Sequence, residues 1–347
     1  MFYDYSILKD FIQDVMKKAG LEQEEAEIFA ESLLYSDCRG LHSHGISRLS
    51  TYAKRVKCGV ITAGANVEII KDAPSALKLD GHNGIGAKIA KQAMKLCIER
   101  AKKTGCCVAT VNHANHFGAG AFYTKYASKQ NMISIMLSNS EAAVAPTGGA
   151  KAMLGTNPLG IGVPAGRNDP FDLDMATSVV ARGKVVLAQK EHRNIPLGWA
   201  VDKNGAPTTD PKIVLEGGYM LPFGGPKGYG ISLFIDLMCS CLGGAKNCRT
   251  TSHFWTDFSH PQDVGYFIIV IDPTKFLPLS GFLSEIDKTF DEFKKCPAAP
   301  GVKSVLIPGE IEANYERISA IKGVSLSDAV IDELRNVGHE YGVKVLF

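Results

Sequence analysis

The sequence lacks an excess of charge of either sign and lacks a basic block. Its 347 residues include 38 lysines and arginines against 36 aspartates and glutamates, a formal net charge of +2. Proteins that follow a nucleic-acid backbone carry clustered basic residues, so the sequence predicts no nucleic-acid partner. Hydrophobic residues at 45% and charged residues at 21% are typical of a globular protein, and the length suffices for more than one domain.

Long hydrophobic runs are also missing. The longest, residues 229–245, is interrupted by Asp236 and is too short to cross a bilayer, so it predicts a buried helix and no membrane partner. The first five residues lack the basic and apolar regions of a signal peptide. The nine cysteines include no C-x-x-C spacing, which disfavours a disulfide framework or a zinc ribbon and predicts reduced thiols in a cytoplasmic protein.

A dinucleotide-binding fingerprint is absent as well. Gly81, Gly84 and Gly86 stand in the wrong order for G-x-G-x-x-G, and the sequence contains no Walker A motif. No strand-turn-helix pattern begins the chain, as it would in a Rossmann domain. Motifs alone therefore disfavour a nicotinamide enzyme of the Rossmann type.

Apolar periodicity divides the chain into helical ends around a mixed middle. Residues 1–66 are expected to form a helical domain, and the helices of residues 309–347 are expected to pack back on it. Residues 67–308 alternate strands with helices and are expected to form the main α/β domain. Within that domain the pattern predicts a long loop, a helix and a strand, over 145–166, 176–191 and 304–307 respectively.

The stretch richest in chemistry, residues 37–49, holds two histidines, two arginines and two glycines between helical segments. Ser43 is a typical N-cap, which places His44 in the first turn of a helix and Arg48 on the same face. Free N–H groups and a forked cation favour the carboxylate of a small acid, and His44 beside it could move a proton. A capped surface helix with incidental basic residues is the alternative interpretation.

A second histidine pair, His113 and His116, follows a predicted strand in a loop rich in asparagine and glycine. Together with His42 and His44 it allows a metal-dependent hydrolase as an alternative function. No cysteine or carboxylate stands at metal-ligand spacing beside either pair, and the nearby arginines would repel a cation. We expect His42 and His113 merely to form hydrogen bonds in the core.

The loop at residues 222–230 is rich in glycine and precedes the long apolar run. Backbone N–H groups at Gly224 and Gly225, together with the charge of Lys227, would suit a diphosphate. A flexible turn is the alternative, and composition alone favours it.

Several motifs, in their order along nearly the whole chain, resemble the type-2 malate/L-lactate dehydrogenase family. They are R-G-L-H-S-H-G (39–45) with Arg48, N-H-F-G (115–118), G-T-N-P-L-G (155–160), L-D-M-A-T-S (173–178), A-R-G-K (181–184), P-L-G-W-A (196–200), G-G-P-K-G-Y-G (224–230) and P-G-E (308–310). The resemblance implies an α/β (α+β) NAD(P)-binding fold that is not Rossmann, which accounts for the missing fingerprint. It has a large, mostly antiparallel mixed sheet and a helical domain formed by both chain ends.

The resemblance further implies a homodimer that uses NAD, with NADP as the alternative, and a small 2-hydroxy or 2-oxo acid as substrate. Arg48 would bind the substrate carboxylate beside Ser43, and His116 by preference, or else His44, would take the hydroxyl proton. The cofactor contacts that it implies are Ser140, Asp174, Met175, Ala176, Gly224, Gly225, Lys227, Pro308, Gly309 and Glu310.

Malate and oxaloacetate are the predicted substrate pair, because residues 177–184 resemble the malate-type members. Lactate, sulfolactate and ureidoglycolate are the alternatives among hydroxy acids. A cyclic imino acid is disfavoured, because Lys184 stands where the family's imino-acid reductases tend to carry an acidic residue. A metal-dependent hydrolase and a catalytically inactive binding protein are the alternatives from other classes. Residues 246–262 and 277–302 match no family motif, so the sequence predicts no role for them.

Overall fold

The computed structural model describes residues 1–347, apart from the side chains of Leu187 and Lys190. The helices are α1 (Tyr5–Ala19), α2 (Gln23–Cys38), α3 (Leu49–Lys57), α4 (Gly86–Thr104), α5 (Ala121–Ser128), α6 (Arg182–Lys190), α7 (Pro211–Leu215), α8 (Pro226–Asp236), α9 (Leu279–Lys294), α10 (Glu310–Lys322) and α11 (Asp328–Tyr341). The strands are β1 (Phe2–Tyr3), β2 (Glu68–Ala73), β3 (Ala76–Asp80), β4 (Cys106–Ala114), β5 (Ile133–Ser138), β6 (Leu159–Val163), β7 (Phe171–Met175), β8 (Ala200–Val201), β9 (Pro207–Thr208), β10 (Tyr219–Met220), β11 (Val264–Ile271) and β12 (Val324–Ser325).

Both ends of the chain contribute to one helical core. The carboxylate of Asp4 caps α1, and a glycine, Gly20, ends that helix. The apolar faces of α1, α2, α3 and α11 pack together and bury Phe11, Leu33 and Leu334, among others. The antiparallel pair of β1 and β12 also joins the two ends. No helix in the described chain is both long and apolar enough to span a bilayer.

The central sheet has the strand order β2-β3-β4-β11-β5-β6-β7, and only the β3–β4 pair is parallel. This confirms the predicted mostly antiparallel mixed sheet. Because neighbouring residues of a strand point to opposite faces, Ile268 of β11 joins the core under α4 and α5, while Phe267 joins the core under α8. Helices on both sides explain the continuous apolar sequence of β11.

Three predictions of elements were wrong. The predicted loop over 145–166 contains β6, whose glycines conceal its strand character. A Cβ at Gly162 would lie 2.8 Å from the hydroxyl of Ser128 on α5, so this strand needs glycine for packing. Residues 304–307, which were predicted to form a strand, do not form one in the structure. The helix predicted over 176–191 begins only at Arg182.

The long apolar run forms α8 and a π-helical turn over Leu237–Leu242. Ile235 and Cys239 are buried against the sheet, but the opposite side of this helix lies exposed. The prediction of a buried helix was therefore correct for one face only.

Candidate active site

Asp37 near the end of α2 shapes the loop that carries His44 and Arg48. Its carboxylate accepts a hydrogen bond from the backbone N–H of Ile46 at 2.6 Å and shares another with Nδ1 of His42 at 2.9 Å. A Cβ at Gly45 would lie only 2.2 Å from this carboxyl group, so the close approach requires glycine. Burial raises the pKa of Asp37, and its hydrogen bonds oppose that shift.

The resulting loop consists of two 3₁₀ turns, His42–His44 and Ile46–Arg48, so the predicted N-cap at Ser43 was wrong. Helix α3 begins at Leu49 without a side-chain cap. A contact between α2 and this loop explains the difference. The carboxylate of Asp37 accepts a hydrogen bond from the N–H of Ile46, so the chain turns before the helix starts. The hydroxyl of Ser43 instead lies 2.9 Å from Nδ1 of His44.

The prediction that His42 and His113 lie in the core was also wrong. Their side chains are 52% and 45% exposed. Each shares a hydrogen bond with an aspartate, His42 with Asp37 and His113 with Asp80. Among the described side chains, no group of three or more histidines, cysteines, aspartates or glutamates could hold a metal ion.

His44 and His116 come together although 71 residues separate them in the sequence. Their ring centroids are 5.7 Å apart and their planes differ by 15°. Desolvation lowers the pKa of His44 to about 4, with Arg48 as the second cause. Desolvation also lowers the pKa of His116 to about 3, with further contributions from His44, Arg48 and Arg55. Both rings are therefore neutral at pH 7.

The loop after β4 holds His116 in place through its backbone. The side-chain amide of Asn115 donates to the carbonyl oxygens of Asn83 at 2.8 Å and Gly84 at 3.1 Å. The N–H of His116 donates to the side-chain oxygen of Gln262 at 2.7 Å. These bonds join the loop to two other parts of the chain, so the position of the ring depends on tertiary contacts.

Arg48 is held on one edge and on one face. Its Nε donates to the carbonyl oxygen of Ser43 at 2.6 Å, and its guanidinium carbon lies 4.6 Å from the ring centroid of Trp255. Within the described part of the chain, Nε is the only nitrogen of this side chain with a hydrogen-bond partner. The two terminal nitrogens thus keep a fork that matches a carboxylate.

Sequence reasoning missed the aromatic wall, which comprises Tyr52, Phe254 and Trp255. The hydroxyl of Tyr52 lies 2.5 Å from Nδ1 of His116, and the ring of Phe254 lies 5.0 Å from that of His116. Two members of the wall come from residues 246–262, for which the sequence predicted no role. The adjacent aromatic pair was the only available signal, and no spacing rule connects it to Arg48.

Several expected cofactor residues are linked by backbone hydrogen bonds. The N–H of Thr156 donates to the hydroxyl of Ser140 at 3.0 Å, and the N–H of Thr177 donates to the carbonyl of Thr156 at 2.8 Å. The N–H of Phe223 then donates to the carbonyl of Thr177 at 3.1 Å. Ser140, the end of β7 with Met175 and Ala176, and the glycine-rich loop therefore lie side by side.

Asp174 precedes Met175 on β7, and the P-G-E turn contacts the same strand at Asp172. Asp174 accepts a hydrogen bond from the N–H of Ala121 at 2.9 Å, and burial raises the pKa of its carboxyl group to about 6. The carbonyl oxygen of Pro308 accepts a hydrogen bond from the backbone N–H of Asp172 at 3.0 Å. Gly309 packs on Asp172, and Glu310 bonds to the N–H of Ile307 within its own turn.

The start of α8 has the shape of an anion cradle. Gly224 and Gly225 have φ angles of 57° and 62°, and a Cβ on either would meet no atom within 4 Å. The first N–H groups of a helix lack intrahelical partners, and Lys227 stands exposed in this first turn. Consecutive positive-φ glycines with open space around them, at the start of a helix, are typical of anion-binding turns.

The chain is similar to known proteins both in sequence and in structure. A family model described as malate/L-lactate dehydrogenase matches residues 3–335. The chain is 38% identical to the L-sulfolactate dehydrogenase of Methanocaldococcus jannaschii, over 97% of this chain and 96% of that protein. It is 34% identical to the ureidoglycolate dehydrogenase (NAD(+)) of Escherichia coli O157:H7, over 96% of each. The crystal structure of malate dehydrogenase from Entamoeba histolytica matches with a TM-score of 0.95 and 30% identity, covering 100% of this chain and 99% of that one.

Proposed function

We propose that this chain, which belongs to the malate/L-lactate dehydrogenase family, transfers a hydride between NAD(H) and a small 2-hydroxy or 2-oxo acid, most readily malate and oxaloacetate. One observation carries the proposal: the stacked rings of His44 and His116 lie beside an arginine, Arg48, with a free fork. Acid–base groups next to a carboxylate clamp are what reversible oxidation of a hydroxy acid requires. The relatives give no support to the alternative of a metal-dependent hydrolase.

Arg48 would bind the carboxylate of the substrate through its two terminal nitrogens. Ser43 fixes Nε and Trp255 covers one face of the guanidinium, so the fork has little freedom left to lose on binding. Ser43 would contribute by orienting both Arg48 and His44. A lysine at position 48 could not reproduce two parallel hydrogen bonds.

The hydrogen bonds of the two imidazoles support different roles. Nδ1 of His116 accepts from the N–H of Gly118 at 3.3 Å and lies 2.5 Å from the hydroxyl of Tyr52, so Nε2 carries the proton of the neutral ring. In this tautomer His116 can donate a hydrogen bond to the substrate oxygen but cannot take its proton. Nδ1 of His44 meets only the hydroxyl of Ser43, which can donate or accept. We therefore assign proton transfer to His44 rather than to His116, the preference from the sequence.

The residues around the cradle would hold a nicotinamide dinucleotide. Gly224, Gly225 and Lys227 would contact its diphosphate, and Ser140, Asp174, Met175, Ala176, Pro308, Gly309 and Glu310 would contact the rest of the cofactor. When bound, the nicotinamide ring supplies or accepts the hydride at C4. We propose NAD, the cofactor in the name of one relative, with NADP as the alternative.

Charges near the site favour a substrate with a second acidic group. A Cβ at Gly183 would lie 3.8 Å from the Cβ of Ser43. The first turn of α6, which carries the basic residues Arg182 and Lys184, therefore lies close to the loop of His44. This supports malate, or sulfolactate as in the name of another relative, over lactate. A cationic imine would be repelled by Arg48 and Arg55, which both lower the pKa of His116.

We further propose that the enzyme is a cytoplasmic homodimer. The exposed apolar face of α8 supports self-association, because large exposed apolar patches mark interaction sites. The nine unpaired cysteines support a reducing compartment.

Oxidation of NADH in the presence of a substrate panel tests the function. The panel contains oxaloacetate, sulfopyruvate, pyruvate and a cyclic imino acid, each with NADH and then NADPH. We expect the largest kcat/KM with oxaloacetate, a lower value with pyruvate, and no turnover of the cyclic imine. Absence of turnover with every oxo acid would contradict the proposal, and tight NADH binding without turnover would favour an inactive binding protein.

A further inference from the structure

Arg55 on α3 is a fully buried cation, with 0% of its surface exposed. One terminal nitrogen donates to the carbonyl oxygens of Phe254 at 3.0 Å and Asp257 at 2.6 Å, and the other to that of His260 at 3.4 Å. No described carboxylate forms an ion pair with it. A buried charge is costly unless polar groups surround it, and here three carbonyl dipoles of one segment do so.

The three carbonyls belong to residues 253–262, called the anchored segment below. It has no helix or strand, so regular hydrogen bonds do not fix its shape. The guanidinium carbon of Arg55 also lies 4.8 Å from the ring centroid of Phe254, whose side chain is 0% exposed. Arg55 thus holds the anchored segment by its backbone and by the side chain next to Trp255.

The anchored segment reaches both working parts of the candidate site. Trp255 covers the guanidinium of Arg48 at 4.6 Å, and Phe254 and Trp255 lie 5.0 Å and 6.1 Å from the ring of His116. Gln262 accepts the N–H of His116 at 2.7 Å. A shift of this segment would release the face of Arg48 and change the packing of His116 together.

We propose that Arg55 is a positioning residue, which sets the anchored segment so that Trp255 orients Arg48 toward the substrate carboxylate. Trp255 is then a specificity-determining residue, because it limits the space beside the carboxylate clamp. The inference rests on the proposed function for the role of Arg48. A lysine at position 55 keeps the charge but not the fork that joins three carbonyls, so it cannot fully replace arginine.

Tryptophan fluorescence tests whether Arg55 holds the anchored segment in place, and it requires neither substrate nor cofactor. The chain has two tryptophans, so Trp199→Phe leaves Trp255 as the only indole. In that background, Arg55→Met and Arg55→Lys should shift the emission of Trp255 to the red and raise its acrylamide quenching constant about twofold or more. Lys57→Met is the matched control, because Lys57 lies on the same helix, is exposed and stacks on Tyr341 at 5.3 Å, outside the anchored segment. It should leave both signals unchanged.

Folded Arg55 variants, judged by circular dichroism, with an unchanged Trp255 signal would overturn the proposal. Where Arg55→Met fails to fold, Arg55→Lys and Trp255→Leu decide the matter. Kinetics supply the second readout. Arg55→Lys and Trp255→Leu should each raise KM for the 2-oxo acid about tenfold, a larger change than any in kcat, since a carboxylate contact is weakened.

Loss of kcat with unchanged KM in these variants would also overturn the proposal. The fluorescence and the kinetic experiments distinguish a failure of this inference from a failure of the proposed function. If the unmodified protein reduces no oxo acid, the proposed function fails, while the fluorescence of Trp255 still reports whether Arg55 holds it.

Discussion

At the scale of residues, the surroundings of two imidazole nitrogens distinguish His44 from His116. A backbone N–H can only donate, so Gly118 keeps a lone pair on Nδ1 of His116. A hydroxyl can donate or accept, so Ser43 tolerates a proton on Nδ1 of His44. This difference is the basis on which we propose proton transfer by His44 and polarisation of the substrate oxygen by His116.

The difference predicts distinct pH profiles. Reduction of the oxo acid needs protonated His44, and desolvation lowers the pKa of His44 to about 4. The protonated fraction falls as pH rises above that value, so kcat/KM for reduction should fall roughly tenfold per pH unit above pH 5. Oxidation of the hydroxy acid needs neutral His44 and should be flat over the same range.

His44→Gln should reduce kcat by about 10²–10⁴ and abolish this pH slope. His116→Gln should lower the rate but keep the slope, which makes it the matched control. Steady-state kinetics of both variants in both directions provide the measurement. The opposite pattern, with the slope lost only in His116→Gln, would return the proton to His116.

The residues that we propose to carry the chemistry could be named from the sequence, but those that contact and support them could not. His44, Arg48 and His116 stand in short motifs that can be matched one by one. Tyr52 acts through a contact with His116, 64 residues away, and Trp255 through a contact with Arg48, about 200 residues away. No local pattern encodes such contacts. Ser43 was misassigned as a cap because Asp37 competes for the same turn through a tertiary bond.

At the scale of elements, α8 with its π turn shows how an all-apolar segment is ambiguous. A helix that is apolar on every side should be buried, yet Ile231, Phe234, Leu237 and Leu242 are 38%, 48%, 42% and 56% exposed. A second copy of the chain on this face would complete the burial. Helix α8 also begins at the anion cradle, so association would steady that end of the site.

Charge on this face should therefore break the dimer that we propose. Phe234→Glu or Leu237→Glu should reduce the mass in solution from about twice 37.3 kDa to 37.3 kDa, and should weaken NADH binding. Light scattering after size exclusion measures the mass. Lys288→Glu on α9, where the lysine is 64% exposed, is the control and should change neither property. A native mass of 37.3 kDa would contradict self-association through this face.

Some helices and strands could be predicted from the sequence, and others could not. Apolar periodicity predicted helices over residues 1–66 and 309–347, and α1, α2, α3, α10 and α11 lie there. Strand β6 was missed because Gly160 and Gly162 leave room for α5, and a glycine-rich stretch is otherwise typical of a loop. Packing between β6 and α5 determines that this stretch forms a strand, and such packing is not visible in a local sequence pattern.

At the scale of the whole molecule, the site joins three distant parts of the chain. The loop before α3, the loop after β4 and the anchored segment meet at His116, through ring stacking with His44 and the hydrogen bond to Gln262. The family resemblance predicted the mostly antiparallel sheet and accounted for the missing Rossmann fingerprint. It carried no information on residues 246–262, so the aromatic wall emerged only from the fold.

Transfer of deuterium from C4 of NADH to C2 of the product tests the central claim most directly. The protein is supplied with oxaloacetate and with NADH deuterated on one face or the other, and malate is examined by mass spectrometry and NMR. Hydride transfer at this site predicts one deuterium at C2 of each malate from one of the two labelled cofactors, and none from the other. Malate without deuterium from either cofactor, or no consumption of NADH, would contradict the account.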